Sequence, residues 1–402
     1  MFIHSPKNIV MQKIKIEVQP ARKSILNALE IANAIAPTNN VIPIESSVRM
    51  HADAPGYVYL DYCARVGSAK IRTALVTKEP FSIIVSARDF RNILKSFSDD
   101  EIGFTIEYDP NPKSLAGSLT YKCGRSKGKI LRTAQEEDMM VMFDFSTTRG
   151  NIEMQRDELA GIVSEGSAFC EKDSVQTRYQ YISAYAYGTN IEFYATNGIT
   201  MYRNAIHTSV SVNELEVFFI NTSLASLIMN LSSAIKLGWT EKSGVVVQSD
   251  DASIYLPGHG EAPIKLELLK SLNRGGLASE PIATNISAKD LSNAIKRALV
   301  TIPAKKEGAT LILSKSKNDQ NCIMISTEDE SGTFYSEEIQ AGQEVKDIVF
   351  GLNSKAGDIL SKVIGFASIK KNMEGPSFPL VLEFDEERYA LLMPIIFTNQ
   401  QG

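Results

Sequence analysis

Histidines, cysteines and clustered carboxylates are the residues of this chain that could carry chemistry, and their spacing brings none into a working set. The four histidines are His4, His51, His207 and His259. None stands in H-x-x-x-H or H-E-x-x-H, or beside a cysteine at metal-ligand spacing, the arrangements that converge two ligands on one zinc. Cys63, Cys123, Cys170 and Cys322 are scattered singly; without C-x-x-C or framework density they read as free thiols of a reducing compartment. G-x-S-x-G, G-x-x-x-x-G-K-[ST] and G-x-G-x-x-G are all missing. The nearest phosphate-loop candidate, Gly258-His-Gly-Glu-Ala-Pro263, puts proline where the third glycine belongs and reads as a turn. The acidic runs Glu328-Asp-Glu330 and Asp385-Glu-Glu387 fall in turn-like stretches and read as solvated loop charge. These observations predict a protein that is not an enzyme and has no metal or cofactor.

The remaining chemistry is cationic, and it is organised by helices. Six segments of helical period start near Ala21, Ser86, Gln155, Asn221, Ser287 and Asn353, at intervals of 65, 69, 66, 66 and 66 residues. Between them the chain reads as strands: KIKIEV (13–18), YVYLDY (57–62), FSIIV (81–85), NIEFYA (190–195), VFFI (217–220) and VLEF (381–384). Ser86-Ala-Arg-Asp-Phe-Arg-Asn-Ile-Leu-Lys95 lines up with Ser287-Ala-Lys-Asp-Leu-Ser-Asn-Ala-Ile-Lys296. Both open on serine with an acid three residues later, a helix-start signature, and Asn221 and Asn353 can cap in the same way. The repeating unit is thus a strand, a helix and several strands. Two units make a domain, and three domains fill the chain at 1–148, 149–280 and 281–402, with Asn273-Arg-Gly-Gly-Leu-Ala-Ser-Glu280 as the last linker.

Each helix pairs an apolar face with a polar one that carries Lys or Arg. The second is expected to bury Phe90, Ile93, Leu94 and Phe97 and to show Arg88, Arg91 and Lys95. The fifth buries Leu291, Ile295, Ala298 and Leu299 and shows Lys289 and Lys296; the sixth buries Ile359, Leu360, Val363 and Ile364 and shows Lys355 and Lys362. The first offers Arg22 and Lys23 and the third Arg156. The fourth, expected to bury Leu224, Leu227, Ile228, Leu231 and Ile235, offers only Lys236 at its end. Alone, each stripe is a solvated helix face. Pseudo-symmetric repeats add the stripes into one positive surface, which holds phosphate backbone by charge without reading sequence.

Composition permits this. The chain has 402 residues, 44% hydrophobic and 22% charged, enough for two to four globular domains. The net charge of −5 is uneven: residues 1–150 hold 20 Lys and Arg against 16 Asp and Glu, while residues 151–280 hold 9 against 15. No apolar run reaches the roughly 18–20 residues of a membrane span, and the start lacks a signal-peptide pattern. The expectation is a soluble, cytoplasmic protein.

Four stretches resemble the bacterial-type DNA sliding clamp, the beta subunit of DNA polymerase III. Tyr194-Ala-Thr-Asn-Gly-Ile-Thr-Met-Tyr-Arg203 resembles the family's A-T-D-G-H-R-L segment, and Tyr389-Ala-Leu-Leu-Met-Pro-Ile395 its terminal Y-x-V-M-P-M strand. Asn40-Val-Ile-Pro-Ile-Glu-Ser46 is similar to its T-L-P-I-L-x-N, and Arg178-Tyr-Gln-Tyr181 to its R-Y-x-L. The resemblance runs the length of the chain. It implies an α+β fold of three tandem clamp domains, with helices lining the hole of a closed homodimeric ring and sheets outside. It also implies a processivity factor that encircles double-stranded DNA, is loaded by a clamp loader ATPase, and tethers the replicative polymerase through a hydrophobic peptide pocket.

Carried over position by position, that pocket falls on Tyr181, Thr196, Gly198, Ile199, Thr200, Met201, Leu391, Leu392, Met393, Pro394 and Ile395. DNA contacts fall on Arg22, Lys23, Arg88, Arg91, Lys95, Arg156, Tyr179, Lys289, Lys296, Lys355 and Lys362, and the ring contact on Leu299 and Val300. Ile199 and Thr200 replace the family's His and Arg, and Ile396-Phe-Thr-Asn-Gln-Gln-Gly402 runs past its usual end; such departures suit a divergent or phage-encoded member. The alternative is a β-rich, ring-forming structural or assembly protein that does not slide on DNA.

Overall fold

The computed structural model describes residues 12–16, 22–36, 43–53, 55–98, 102–109, 111, 113–171, 173–258, 280–301, 310–328, 332–363, 365, 368–371 and 379–394. The helices begin where the period places them. Among the described residues they are α1 (Arg22–Ile35), α2 (Ala87–Lys95), α3 (Arg156–Ser167), α4 (Leu224–Ile228), α5 (Ala288–Thr301) and α6 (Ser354–Lys362). The expected serines and asparagine do cap: Ser86 Oγ accepts the Asp89 N–H at 3.2 Å, Ser287 Oγ the Asp290 N–H at 3.2 Å, and Asn353 Oδ1 the Ala356 N–H at 2.7 Å. No helix among the described residues is long and apolar enough to cross a membrane.

The fourth helix corrects the sequence reading. It spans only Leu224–Ile228, with Ser223 rather than Asn221 at its start. Ile235 and Lys236, expected on it, stand instead in a strand, Ala234–Trp239. There buried Ile235 and Leu237 alternate with exposed Ala234 and Lys236, and the two-residue period outweighs the helical spacing back to Leu231. Ile364, expected in the core, lies outside the described residues.

The chain divides into two compact units: residues 1–160 with 223–258, and residues 161–222 with 259–402. In the first unit an eight-stranded antiparallel sheet runs β5-β2-β3-β4-β14-β13-β12-β9. Its strands are β2 (Ser47–Ala52), β3 (Gly56–Ala64), β4 (Gly67–Thr77), β5 (Phe81–Ser86), β9 (Arg149–Gln155), β12 (Ala234–Trp239), β13 (Val245–Gln248) and β14 (Ala252–Leu256). The join is β14 on β4, with Ile254 opposite Ala69. A four-stranded sheet, β1 (Gln12–Ile16), β6 (Gly103–Tyr108), β7 (Gly117–Cys123) and β8 (Ser126–Leu131), leaves β8 at its edge. Helices α1 and α2 pack together, and Ile25, Leu29, Phe90 and Leu94 on them are fully buried.

One charged group stands inside this unit. Asp61 on β3 is 2% exposed, and one of its oxygens lies 2.5 Å from Arg49 Nη2 and 2.8 Å from His51 Nε2, both on β2. Burial pushes this carboxyl up, but the hydrogen bonds and charges of His51 and Arg49 outweigh it and hold the group below its ordinary range.

The second unit holds a six-stranded sheet, β10-β11-β22-β21-β20-β15, built from β10 (Tyr181–Thr196), β11 (Thr200–Asn221), β15 (Glu280–Thr284), β20 (Ser368–Lys371), β21 (Leu380–Glu383) and β22 (Tyr389–Leu392). Its four-stranded sheet runs β18-β17-β16-β19, with β16 (Thr310–Lys315), β17 (Cys322–Glu328), β18 (Phe334–Gln340) and β19 (Val349–Asn353). Helices α5 and α6 pack as α1 and α2 do. Gly357 admits the Leu299 side chain, and Ser292 Oγ donates to the Ser361 carbonyl. The two halves thus repeat one device, a helix pair laid on antiparallel sheets.

Candidate nucleic-acid interface and peptide pocket

On α1 and α2 the cationic residues fall into two classes. Lys23 and Arg88 are exposed, with no ion-pair partner among the described residues. Arg22 Nε donates to the Leu94 carbonyl at 2.8 Å, where the C-terminus of α2 concentrates negative partial charge. Arg91 and Lys95, one turn apart, both reach Glu30 of α1 at 2.7 Å. Burial raises the Glu30 carboxyl, and the hydrogen bonds from Lys95 and Arg91 more than reverse this, so its pKa is lowered overall.

The other helices show the same division. Arg156 pairs with Asp157 at 2.8 Å and donates to the Leu231 carbonyl at 2.8 Å, tying the start of α3 to the chain beyond α4. Lys289 and Lys296 on α5 are exposed and unpaired among the described residues. On α6, Lys355 meets Glu171 and Lys362 meets Asp358, each at 2.6 Å. Tyr179 lies in a short 3-10 turn, Thr177–Tyr179, under the Arg178 guanidinium, 4.9 Å from its ring centre.

The two motif strands that carry the proposed pocket are neighbours in the six-stranded sheet. The β10–β11 turn is built by its own side chains. Asn197 Oδ1 accepts the Ile199 and Thr200 N–H groups at 3.0 and 2.9 Å, and Thr196 Oγ1 donates to the Thr200 carbonyl at 2.6 Å. Gly198 takes φ +89°, where a side chain would be strained, and a Cβ there would stand 3.2 Å from the Tyr179 hydroxyl. Opposite, Thr200 pairs with Leu392 and Met201 with Leu391, and the Met393 N–H extends the ladder to the Ile199 carbonyl at 3.0 Å.

Strand alternation then sorts these residues. Met201 and Leu391 share one face and pack with Tyr185, Tyr194, Val381 and Tyr389 in a buried cluster. Thr200 and Leu392 point the other way and are also buried, as is Thr196 on β10. Ile199, Pro394 and Tyr181 are half-buried, Gly198 is exposed, and Met393 is 37% exposed. Ile395 and residues 396–402 lie outside the described residues. On α5, Val300 is 85% exposed while Leu299 is half-buried against Gly357.

Sequence reasoning missed the tyrosine floor and the polar group beside it. Arg203, on the Met201 face, donates to Glu192 at 2.9 Å and to the Glu387 carbonyl at 3.0 Å, and it sits over the Tyr389 ring. Burial pushes the Tyr389 hydroxyl well above its ordinary range. The signal was available, since Arg203 and Tyr389 stand within the quoted motifs two residues from Met201 and Leu391, and Tyr194 stands two residues from Thr196, the partner of Met201. Phe334, 73% exposed on the edge strand β18, and Leu131, 65% exposed on the edge strand β8, were also missed.

No protein-family model and no curated protein matches the sequence. Solved structures do match, over nearly the whole chain. The beta subunit from DNA polymerase of Streptococcus pyogenes is 17% identical, with a TM-score of 0.77 over 96% of this chain and 100% of that one. The beta sliding clamp of C. crescentus gives a TM-score of 0.78 at 14% identity, over 96% and 100%. The DNA polymerase sliding clamp from Bacillus subtilis gives 0.77 at 15% identity, over 96% and 99%. The chain has the fold of these clamps.

Proposed function

We propose that this protein is a DNA sliding clamp: a non-enzymatic ring of two chains that encircles duplex DNA and tethers a replicative polymerase and other factors. The observation that carries the reading is the end-to-end match in fold to polymerase clamps, covering essentially all of those chains and nearly all of this one. The domains are those of the helical period, 1–148, 149–280 and 281–402. The helices present Lys23, Arg88, Lys289 and Lys296 to the phosphate backbone, with the paired cations behind them. Tethering raises the polymerase concentration at the primer end without any new contact at its active site. The partner peptide docks where Ile199, Met393 and Pro394 meet the surface beside Gly198.

Ring closure is supported by two sheet edges of opposite charge that have no further strand among the described residues. Edge β8 in the first unit carries exposed Lys127, Lys129 and Leu131. Edge β18 in the second carries Glu337, exposed Glu338 and exposed Phe334, with Val300 on α5, which packs on the same strand. Arg297 holds Glu337 in a two-pronged contact and keeps its carboxyl below the ordinary range, so it stays charged. Unpaired edges are association surfaces, and a second copy supplies each edge with its complement.

Negative-stain electron microscopy with the solution mass measured in parallel tests this reading. A two-chain particle with a central hole is expected, and compact particles without a hole would overturn it. Phe334→Asp is expected to return the mass to one chain with the melting curve unchanged, because the ring is exposed and little folding energy rests on it. A two-chain mass in this variant removes β18 from the interface.

A further inference from the structure

The cations of α2 are not all free to meet an anion, and one acid on α1 accounts for this. Glu30 is the common partner of Arg91 and Lys95, at 2.7 Å each, and its side chain is only 27% exposed. A partly buried pair is screened less by salt than a surface pair. Of the three cations on α2, Arg88 alone has no such partner among the described residues. A phosphate approaching Arg91 or Lys95 must compete with a fixed carboxylate for the same N–H groups, and that carboxylate repels it. Lys362 and Asp358, and Arg156 and Asp157, repeat the arrangement locally, and Lys355 and Glu171 repeat it across 184 residues with one cation. Glu30 differs in holding two cations from a neighbouring helix.

We infer that Glu30 limits the grip of the α1–α2 surface on duplex DNA. It withholds Arg91 and Lys95 from the phosphates, so that the contact is made by the few unpaired cations and stays loose. This rests on the clamp reading above. In that setting a weak contact has a purpose: a ring held on DNA by topology needs no affinity to stay there, and each phosphate gripped slows its movement.

The salt dependence of duplex binding reads the number of phosphates neutralised, with a slope near −0.9 per phosphate. Fluorescence anisotropy of a short labelled duplex, titrated with the full-length protein across a range of salt, supplies that slope. Glu30→Gln is expected to steepen it by one to two phosphates per chain. That corresponds to a rise of roughly threefold to tenfold in affinity at low relative to fourfold higher salt. An unchanged slope, with the wild type binding in a salt-dependent way, overturns the inference and leaves the clamp reading standing. No salt-dependent binding by the wild type overturns both.

Should Glu30→Gln unfold, two single variants that keep Glu30 decide. Arg88→Gln removes a free cation and is expected to lower the slope by about one phosphate, whereas Lys95→Gln removes a paired one and is expected to change it by less than half as much. Equal losses from Arg88→Gln and Lys95→Gln would show that Glu30 withholds nothing.

Discussion

Leu392→Ala is expected to destabilise the protein by about 2–5 kcal/mol, while Met393→Asp, one residue on, leaves stability nearly unchanged and weakens peptide capture at least tenfold. The two residues are neighbours in one motif but belong to different parts of the molecule. Leu392 is fully buried, between Thr200 of β11 and Leu380 of β21, so truncating it opens a cavity in the middle of the sheet. Met393 is at the surface, and its backbone hydrogen bond to Ile199 does not depend on the side chain that Asp replaces. Placing a carboxylate where an apolar anchor docks costs at least tenfold in affinity, about 1.4 kcal/mol. Thermal melts, with anisotropy of a labelled C-terminal peptide from a bacterial replicative polymerase, check both variants. Retained affinity in Met393→Asp would remove this surface from the pocket.

Asp61→Ala is the second large effect, expected to cost about 3–5 kcal/mol because it removes the buried carboxylate that Arg49 and buried His51 share, leaving Arg49 the more distant Glu136 at 3.7 Å and His51 the exposed Asp53 at 3.3 Å. The pH dependence gives the check a sign. Asp61 is held below its ordinary pKa in the folded state, so its contribution is fully present above the unfolded value near 3.9 and is lost as pH falls through the lower folded value. Denaturant unfolding of wild type and variant should therefore differ most at neutral pH and converge below about pH 4. A gap that persists undiminished into acid would mean that Asp61 acts through packing alone.

Much of this architecture is legible in the sequence because helix starts are local. A serine or asparagine that bonds its own chain three residues on needs no distant partner, and Ser86, Ser287 and Asn353 do so where the period places them. The fourth helix was misread because Leu231 and Ile235 fit both periods, and only the strand partner Met154, opposite Ile235, settles which one holds. At the candidate pocket, the motifs place the right strands together, since β11 and β22 pair through the quoted residues themselves. Which residues reach the surface depends on alternation across that pair, so a contiguous run such as Leu391-Leu392-Met393 is divided between a tyrosine cluster, the core and the exterior. Glu30 could not be foreseen as a partner for α2, because an ion pair across 61 residues leaves no local trace.

The order of strands in the two large sheets has a consequence for how the chain is made. Strand β14, at residues 252–256, closes against β4, at residues 67–77, so β4 leaves the ribosome long before its neighbour exists. Strand β22 comes later still and enters the middle of its sheet, between β11 and β21. Until it arrives the β10–β11 hairpin and the β21-β20-β15 strands are separate pieces, each with an unpaired apolar edge. A nascent chain of this design spends most of its synthesis with sticky borders, and synthesis must outrun aggregation. Stalling or truncation just before Tyr389 would leave two half-sheets that nothing else in the sheet order joins.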